Sequence, residues 1–204
     1  MFVITLIAKP GKLQPALVES LRNAWGGQSA QWLAADEAAE FAVDTKPVNL
    51  WDVWADVQEM GVDLVCQPLI GRRKTMLLAD MDSTMIQQEC IDELADEAGV
   101  GARVADITAR AMNGELDFEA ALIERVGLLR GMAETVIGHV LATRITHMPG
   151  AATLLATMKA NGGHAALVSG GFTAFTAQVS AQLGFDENRA NTLLIENGKL
   201  TGDV

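Results

Sequence analysis

Apolar and polar positions follow two different periods along this chain, and the switches between them mark its elements. Phe2 to Ala8 is an apolar run closed by Pro10-Gly11, which predicts a first strand. From Leu13 to Ala24 the apolar residues fall at 13, 17, 21 and 24, a helical spacing ended by Trp25-Gly26-Gly27. Ala38 to Val43 predicts a short strand, Val48 to Met60 a helix stopped by Gly61, and Val62 to Leu69 a further strand. The resulting β-α-β-α-β order predicts a small α+β module packed on one sheet face. Its four tryptophans, at 25, 32, 51 and 54, read as core or interface. Gly71-Arg72-Arg73-Lys74 marks the boundary, a short basic cluster read as a solvated hinge.

The second part opens with Thr75 to Ala79, a continuous apolar run that stops at Asp80 and predicts a buried parallel strand. Three helical patterns follow. The first uses Ile91, Leu94, Ala95 and Ala98 and stops at Gly99. The second uses Val104, Ile107 and Ala111 and stops at Asn113-Gly114. The third uses Phe118, Leu122, Val126 and Leu129 and stops at Gly131. A fourth pattern, Glu134 to Leu141, is weaker. Pro149-Gly150 then opens a helix that runs to Ala160, His164 to Val168 predicts a second buried strand, and a helix with Phe172, Phe175, Val179 and Leu183 follows. Strand, helix and strand in this order form a βαβ-like unit with a helical block inserted after its first strand.

Composition narrows the classes. Half of the 204 residues are hydrophobic, enough for a real core. The formal net charge of −11 would repel nucleic-acid phosphates and anionic membrane surfaces, so neither is an expected partner. No basic residue precedes the N-terminal apolar run, which breaks at Lys9-Pro10-Gly11, and no run approaches the roughly 20 residues that span a bilayer. Cys66 and Cys90 lie on separate segments without metal-ligand spacing, so a disulfide framework is not indicated and a cytoplasmic location is expected.

Two segments carry chemistry. Asp80-Met81-Asp82-Ser83-Thr84 directly follows an apolar strand, and side chains at i and i+2 of an extended segment point the same way. Two carboxylates would face one point at a strand's C-terminal end, where open α/β sheets bind ligands. Their mutual repulsion calls for a cation such as Mg²⁺ or for a proton on one of them. The pentapeptide is also ordinary helix-capping vocabulary, and on it alone the two readings stand level. Ser169-Gly170-Gly171 sits between a strand and a helix, where backbone N–H groups and a hydroxyl suit an anion. A tight turn that needs glycine is the plainer explanation of that segment alone. Both segments lie at strand C-termini and so face one crevice, which strengthens each.

The order of apolar strand, DMDST, helical insert, PGA helix start, apolar strand and SGGF resembles the haloacid dehalogenase superfamily. DMDSTMIQQECIDELADEAGV, ITARAMNGELDFEAALIERVGLL, LVSGGFTAFTAQVSAQLGF and the final NGKLTGDV resemble phosphoserine phosphatases in particular, over about residues 76–204. The resemblance implies an α/β fold. Its parts would be an ACT-like α+β module at 1–72 and a Rossmannoid parallel sheet at 73–204, with a helical cap at about 88–147. It implies hydrolysis of O-phosphoserine, the last step of serine synthesis, through an aspartyl-phosphate and with Mg²⁺ as cofactor. Asp80 would be the nucleophile and Asp82 the general acid and base. Asp80 and the Asp82 carbonyl would hold the metal, and Ser169 and the Gly170 N–H the phosphate. Glu89 would face the substrate ammonium and Arg125 its carboxylate, with Met112 and Phe118 lining the pocket. Plainer readings remain beside these. Glu89 also reads as a solvated first-turn acid, Arg125 as a snorkelling stripe-edge residue, and Met112 and Phe118 as core. The N-terminal module would bind a regulatory amino acid, or serve dimerisation or packing and so give a homodimer.

The family has two further motifs, a lysine that bridges nucleophile and phosphate and a GDGxND loop that completes the metal site. Neither occurs in these 204 residues, so the resemblance implies a sheet incomplete at its C-terminal side. Little phosphatase activity and poor Mg²⁺ binding are expected of the chain as it stands. Two alternatives stay open: action on another small phospho-metabolite, as phosphatase or phosphotransferase, or a non-catalytic remnant that binds an amino acid.

Overall fold

Phe2–Ala8 forms β1, a strand paired antiparallel on both edges, with Ile4, Leu6 and Ala8 sharing one buried face. The computed structural model describes residues 1–204 and divides them into two units, Met1–Arg73 and Lys74–Val204. In the first unit β1 is followed by α1 (Pro15–Ala24), β2 (Gln31–Ala34), β3 (Ala38–Val43), α2 (Leu50–Glu59) and β4 (Val62–Pro68). The four strands form an antiparallel sheet in the order β2-β3-β1-β4. Val18 of α1 and Leu50 and Val57 of α2 pack with Ile4, Leu6, Phe41 and Leu64 in one core. Each fully buried side chain of this size contributes roughly 1.5–3 kcal/mol relative to exposure.

Three details of this unit differ from the sequence reading. β2 was not foreseen, because Trp32 and Leu33 are both exposed on a bulged edge strand and no alternation marks it. The tryptophans are not core residues as a group. Trp25 packs against Phe41, but Trp51 is 65% exposed and Trp54 and Trp32 are exposed as well. Arg72 is not a free hinge charge, because its guanidinium pairs with Glu40.

The second unit begins with β5 (Met76–Ala79) and continues through four insert helices, α3 (Cys90–Glu97), α4 (Gly101–Met112), α5 (Phe118–Gly127) and α6 (Thr135–Thr143). Then come α7 (Ala151–Ala160), β6 (His164–Phe172), α8 (Thr173–Leu183), β7 (Glu187–Asn191) and the small hairpin β8 (Ile195–Glu196) and β9 (Lys199–Leu200). β5, β6 and β7 form a parallel sheet in that order, with Leu77 opposite Ala165 and Ala79 opposite Leu167. The core joins both layers: Ala79, Leu167, Phe172 and Phe175 pack with Leu94, Leu122, Val126 and Leu129 of the insert. Asp117 caps α5 by accepting the Ala120 N–H at 2.7 Å, a bond worth about 1 kcal/mol that fixes the start of the helix carrying Arg125.

β5 is parallel as its apolar run predicts, but it is not buried on both faces. It lies at the sheet edge, with Met76 and Leu78 56% and 63% exposed. β7 escaped prediction because Glu187-Asn188-Arg189-Ala190-Asn191 has no apolar run, and its parallel pairing with β6 is a tertiary effect. Phe172 ends β6 and precedes α8 instead of belonging to the helix, and it is fully buried.

Candidate active site

Met81 is fully buried, so its neighbours Asp80 and Asp82 point away from the core at the C-terminal end of β5. Both line a cavity of about 240 Å³ together with Glu89, Ile91, Phe118, Leu122, Arg125, Ser169, Gly170, Gly171 and Phe172. The structure therefore gathers Asp80, Asp82, Glu89, Arg125, Ser169 and Gly170, which lie on the loop after β5, on β6 and on the insert, around one space. Met112, grouped with them in the sequence reading, is 85% exposed and is not part of the lining.

The two aspartates differ in a way that sequence cannot reveal. Asp82 is half-buried, and both of its oxygens are taken. Oδ1 accepts the Cys90 N–H at 2.7 Å, and Oδ2 accepts the Ser169 hydroxyl at 3.1 Å. The Ser169 oxygen in turn accepts the Gly171 N–H at 2.8 Å. Asp80 is exposed to the cavity, and its carboxylate is in none of the chain's hydrogen bonds or ion pairs. One carboxylate is oriented and the other is free to engage a ligand.

The glycines serve close approach, not an unusual backbone angle. Neither Gly170 nor Gly171 has a positive φ. A Cβ on Gly171 would lie 2.7 Å from Asp82 Oδ2, and one on Gly170 would lie 2.9 Å from the Phe118 ring. Side chains there would displace the oriented aspartate or the ring that walls the cavity.

On the insert side, Glu89 precedes α3 instead of lying in its first turn, and it accepts the Ser83 hydroxyl at 2.6 Å. Arg125 is half-buried. Its Nε donates to the Ala121 carbonyl at 3.2 Å and an Nη lies 3.5 Å from the Thr108 hydroxyl, and it forms no ion pair. Leu122 on the same helix and Leu129 just past its end are buried while Phe118 is exposed to the cavity, so the guanidinium ends an apolar stripe that opens on the site.

Sequence reasoning missed Cys90 and Asp92. Cys90 matters through its N–H at the start of α3, and no residue pattern announces such a contact. Its thiol is pushed far up by burial and by the Asp82 carboxylate beside it, so it stays protonated. Burial raises the Asp92 carboxyl above its ordinary range, with Arg125 opposing the shift and Asp96, Glu93 and Asp82 adding to it. A carboxyl that is harder to ionise when folded binds more protons in the native state than in the unfolded one. Stability then falls as pH rises from the unfolded value through the raised folded one. Asp92→Asn is therefore expected to raise Tm at about pH 7 and to lose that advantage near pH 3, where both states are protonated. A Tm difference independent of pH would contradict the burial argument.

The chemistry of the donors suits a hard divalent cation in kind, because Asp80 offers a free carboxylate oxygen and the Asp80–Asp82 backbone offers carbonyls. In number they are few, and no three metal-ligating side chains cluster anywhere in the chain.

The carboxylates that follow β5 and the Ser169-Gly170-Gly171 segment, which lies in the last residues of β6 and not in a turn after Val168, define a ligand site of the α/β enzyme type at the C-terminal ends of parallel strands. The family profile of haloacid dehalogenase-like hydrolases matches residues 77–204, and the chain belongs to that family. A phosphoserine phosphatase of Archaeoglobus fulgidus is 44% identical over 151 residues, which cover 73% of this chain and 44% of that protein. Among solved structures, a HAD family hydrolase of Salmonella enterica serovar Typhi matches with a TM-score of 0.84 and 28% identity, covering 98% of this chain and 71% of that one. A phospho-aspartyl intermediate analogue of phosphoserine phosphatase matches with a TM-score of 0.60 and 41% identity, covering 65% of this chain and 63% of that one. The chain spans about half the length of the curated relatives it matches.

Proposed function

We propose that this chain carries a site for hydrolysis of O-phosphoserine to serine and phosphate through an aspartyl-phosphate on Asp80, the reaction that closes serine synthesis. The observation that carries the reading is the contrast between the free Asp80 and the doubly bonded Asp82 in one cavity with Glu89, Arg125 and Ser169. Asp80 would attack phosphorus in line, forming an O–P bond as the bond to the serine oxygen breaks. Asp82 would give that oxygen a proton and then take one from the water that cleaves the acyl phosphate. Ser169 and the Gly170 N–H would hold phosphoryl oxygens, while Glu89 and Arg125 would take the ammonium and carboxylate of the amino acid. The solved relative described as a phospho-aspartyl intermediate analogue supports this role for an aspartate in that protein, and by similarity here.

Three carboxylates and one guanidinium line the cavity, so a phosphate group needs added positive charge to enter. Mg²⁺ held by the Asp80 carboxylate and the Asp82 carbonyl would supply it and would offset charge on the phosphoryl oxygens. With so few protein donors, Mg²⁺ alone is expected to bind weakly, at about millimolar Kd, and to bind more tightly once phosphoserine adds its own oxygens. Calorimetric titration of Mg²⁺ with and without phosphoserine checks this, and equal affinities would contradict the shared site. The proposed reaction is tested by phosphate release from O-phosphoserine and from an aryl phosphate, each with Mg²⁺. Preference for phosphoserine supports the reading. Preference for the aryl ester would mean another phospho-metabolite, and binding of serine without turnover would mean an amino-acid-binding remnant. The βαββαβ order of the first unit supports an ACT-like module whose role would be dimerisation.

A further inference from the structure

Thr146 lies on the segment that leads back from α6 towards α7, and every polar atom it has is engaged by the segment that leads out to α3. Its N–H donates to Gln88 Oε1 at 2.9 Å, and its hydroxyl oxygen accepts from Gln88 Nε2 at 2.8 Å and from Gln87 Nε2 at 3.0 Å. Its carbonyl accepts the Gln87 N–H at 2.9 Å, and Ile86 and His147 form an antiparallel bridge beside it. The two connections of the helical insert are thus fastened to each other at one point.

That point leads directly into the site. The Gln88 carbonyl accepts the Ser83 N–H at 3.2 Å, the Ser83 hydroxyl donates to Glu89 at 2.6 Å, and the Cys90 N–H holds Asp82 at 2.7 Å. Ser83 has a φ of 50°, a left-handed conformation that costs a non-glycine residue about 1 kcal/mol or more and persists only where its surroundings impose it. Glu89 is exposed, and its carboxylate has the Ser83 hydroxyl as its side-chain partner, so its place depends on the backbone that Gln88 anchors.

We propose that Gln88 and Thr146 are positioning residues that set the place of Glu89, and so give the cavity its preference for phosphate esters that carry a primary ammonium. The inference rests on reading Glu89 as the ammonium's partner. A hinge with only a structural role would affect all ligands alike, whereas this one would affect those with an amine.

The experiment compares the unaltered chain with Gln88→Met, Thr146→Val and the conservative Thr146→Ser. Amide hydrogen exchange at Ser83 and Cys90 is read by NMR, and binding of O-phosphoserine and of its amine-free analogue 3-phosphooxypropionate is read by calorimetry with Mg²⁺. Gln88→Met and Thr146→Val are expected to speed exchange at both amides about tenfold and to weaken phosphoserine binding about five- to tenfold, the weight of roughly one net hydrogen bond. Binding of the amine-free ester stays unchanged, and Thr146→Ser restores both readouts. Unaltered exchange at Ser83 and Cys90, or equal losses on the two esters, overturns the proposal. If the unaltered chain binds neither ester, the reading of the site has failed, and the exchange result alone then decides whether Gln88 and Thr146 hold this segment.

Discussion

In a version of this chain that also carries the lysine and GDGxND motifs, Asp80→Asn is expected to remove all phosphate release from O-phosphoserine while leaving the fold in place. The substitution is isosteric, and the carboxylate it replaces has no partner inside the chain, so no internal contact is lost. The amide cannot displace the serine oxygen from phosphorus to give an acyl phosphate. The expected fall is at least about 10⁴-fold, the scale seen when a covalent nucleophile is removed. Asp82→Asn gives a useful contrast. It disturbs an oriented group, because an amide NH₂ would either meet the Cys90 N–H donor to donor or face the Ser169 hydroxyl and force it to turn from donor to acceptor. That variant should lose stability as well as activity, whereas Asp80→Asn should melt at or above the unaltered Tm, since one of three facing carboxylates is neutralised. Circular-dichroism melts and phosphate-release assays on the two variants separate the roles. Substantial activity in Asp80→Asn, measured in protein free of contaminating phosphatase, would remove Asp80 as the nucleophile.

How far these roles could be read without coordinates depends on where the relevant physics lies. The strand before Asp80 and the strand before Ser169 were legible, because apolar runs bounded by polar turns are local signals. Their parallel pairing placed both segments at one end of a sheet, which made the crevice legible too. Arg125 could be seen as the odd residue in a Phe-Leu-Leu stripe, although its neighbours could not. The unequal surroundings of Asp80 and Asp82 could not be read at all. They depend on Cys90, eight residues on, and on Ser169, eighty-seven residues on, and neither spacing is periodic. The unpaired edge of β5 was legible only through the resemblance, which puts the strand of the GDGxND loop beside it; the apolar run by itself reports composition and predicts a buried strand. β7 shows the converse, a polar segment drawn into a ladder by its neighbour β6.

Arg125→Ala should weaken use of O-phosphoserine far more than use of O-phosphoethanolamine, which keeps the phosphate and the ammonium but has no carboxylate. The guanidinium now bonds only to a backbone carbonyl of its own helix and, at 3.5 Å, to the Thr108 hydroxyl. No protein carboxylate pairs with it, so a ligand carboxylate would meet an available charge and would not have to break an existing ion pair. Neighbouring Leu122 is buried and Phe118 walls the same cavity, so the new pair would be partly shielded from water. Truncating one member of such a desolvated pair costs about 2–3 kcal/mol, or roughly 30- to 150-fold in kcat/KM. Arg125→Lys keeps the charge but loses the planar fork, and it should recover only part of the loss. Loss of the Thr108 and Ala121 contacts would by itself loosen α5 and harm both substrates to the same degree. The ratio of kcat/KM for phosphoserine to that for phosphoethanolamine therefore decides the question. A ratio unchanged by Arg125→Ala would make Arg125 a structural residue, and recognition of the carboxylate would then have to come from elsewhere in the cavity.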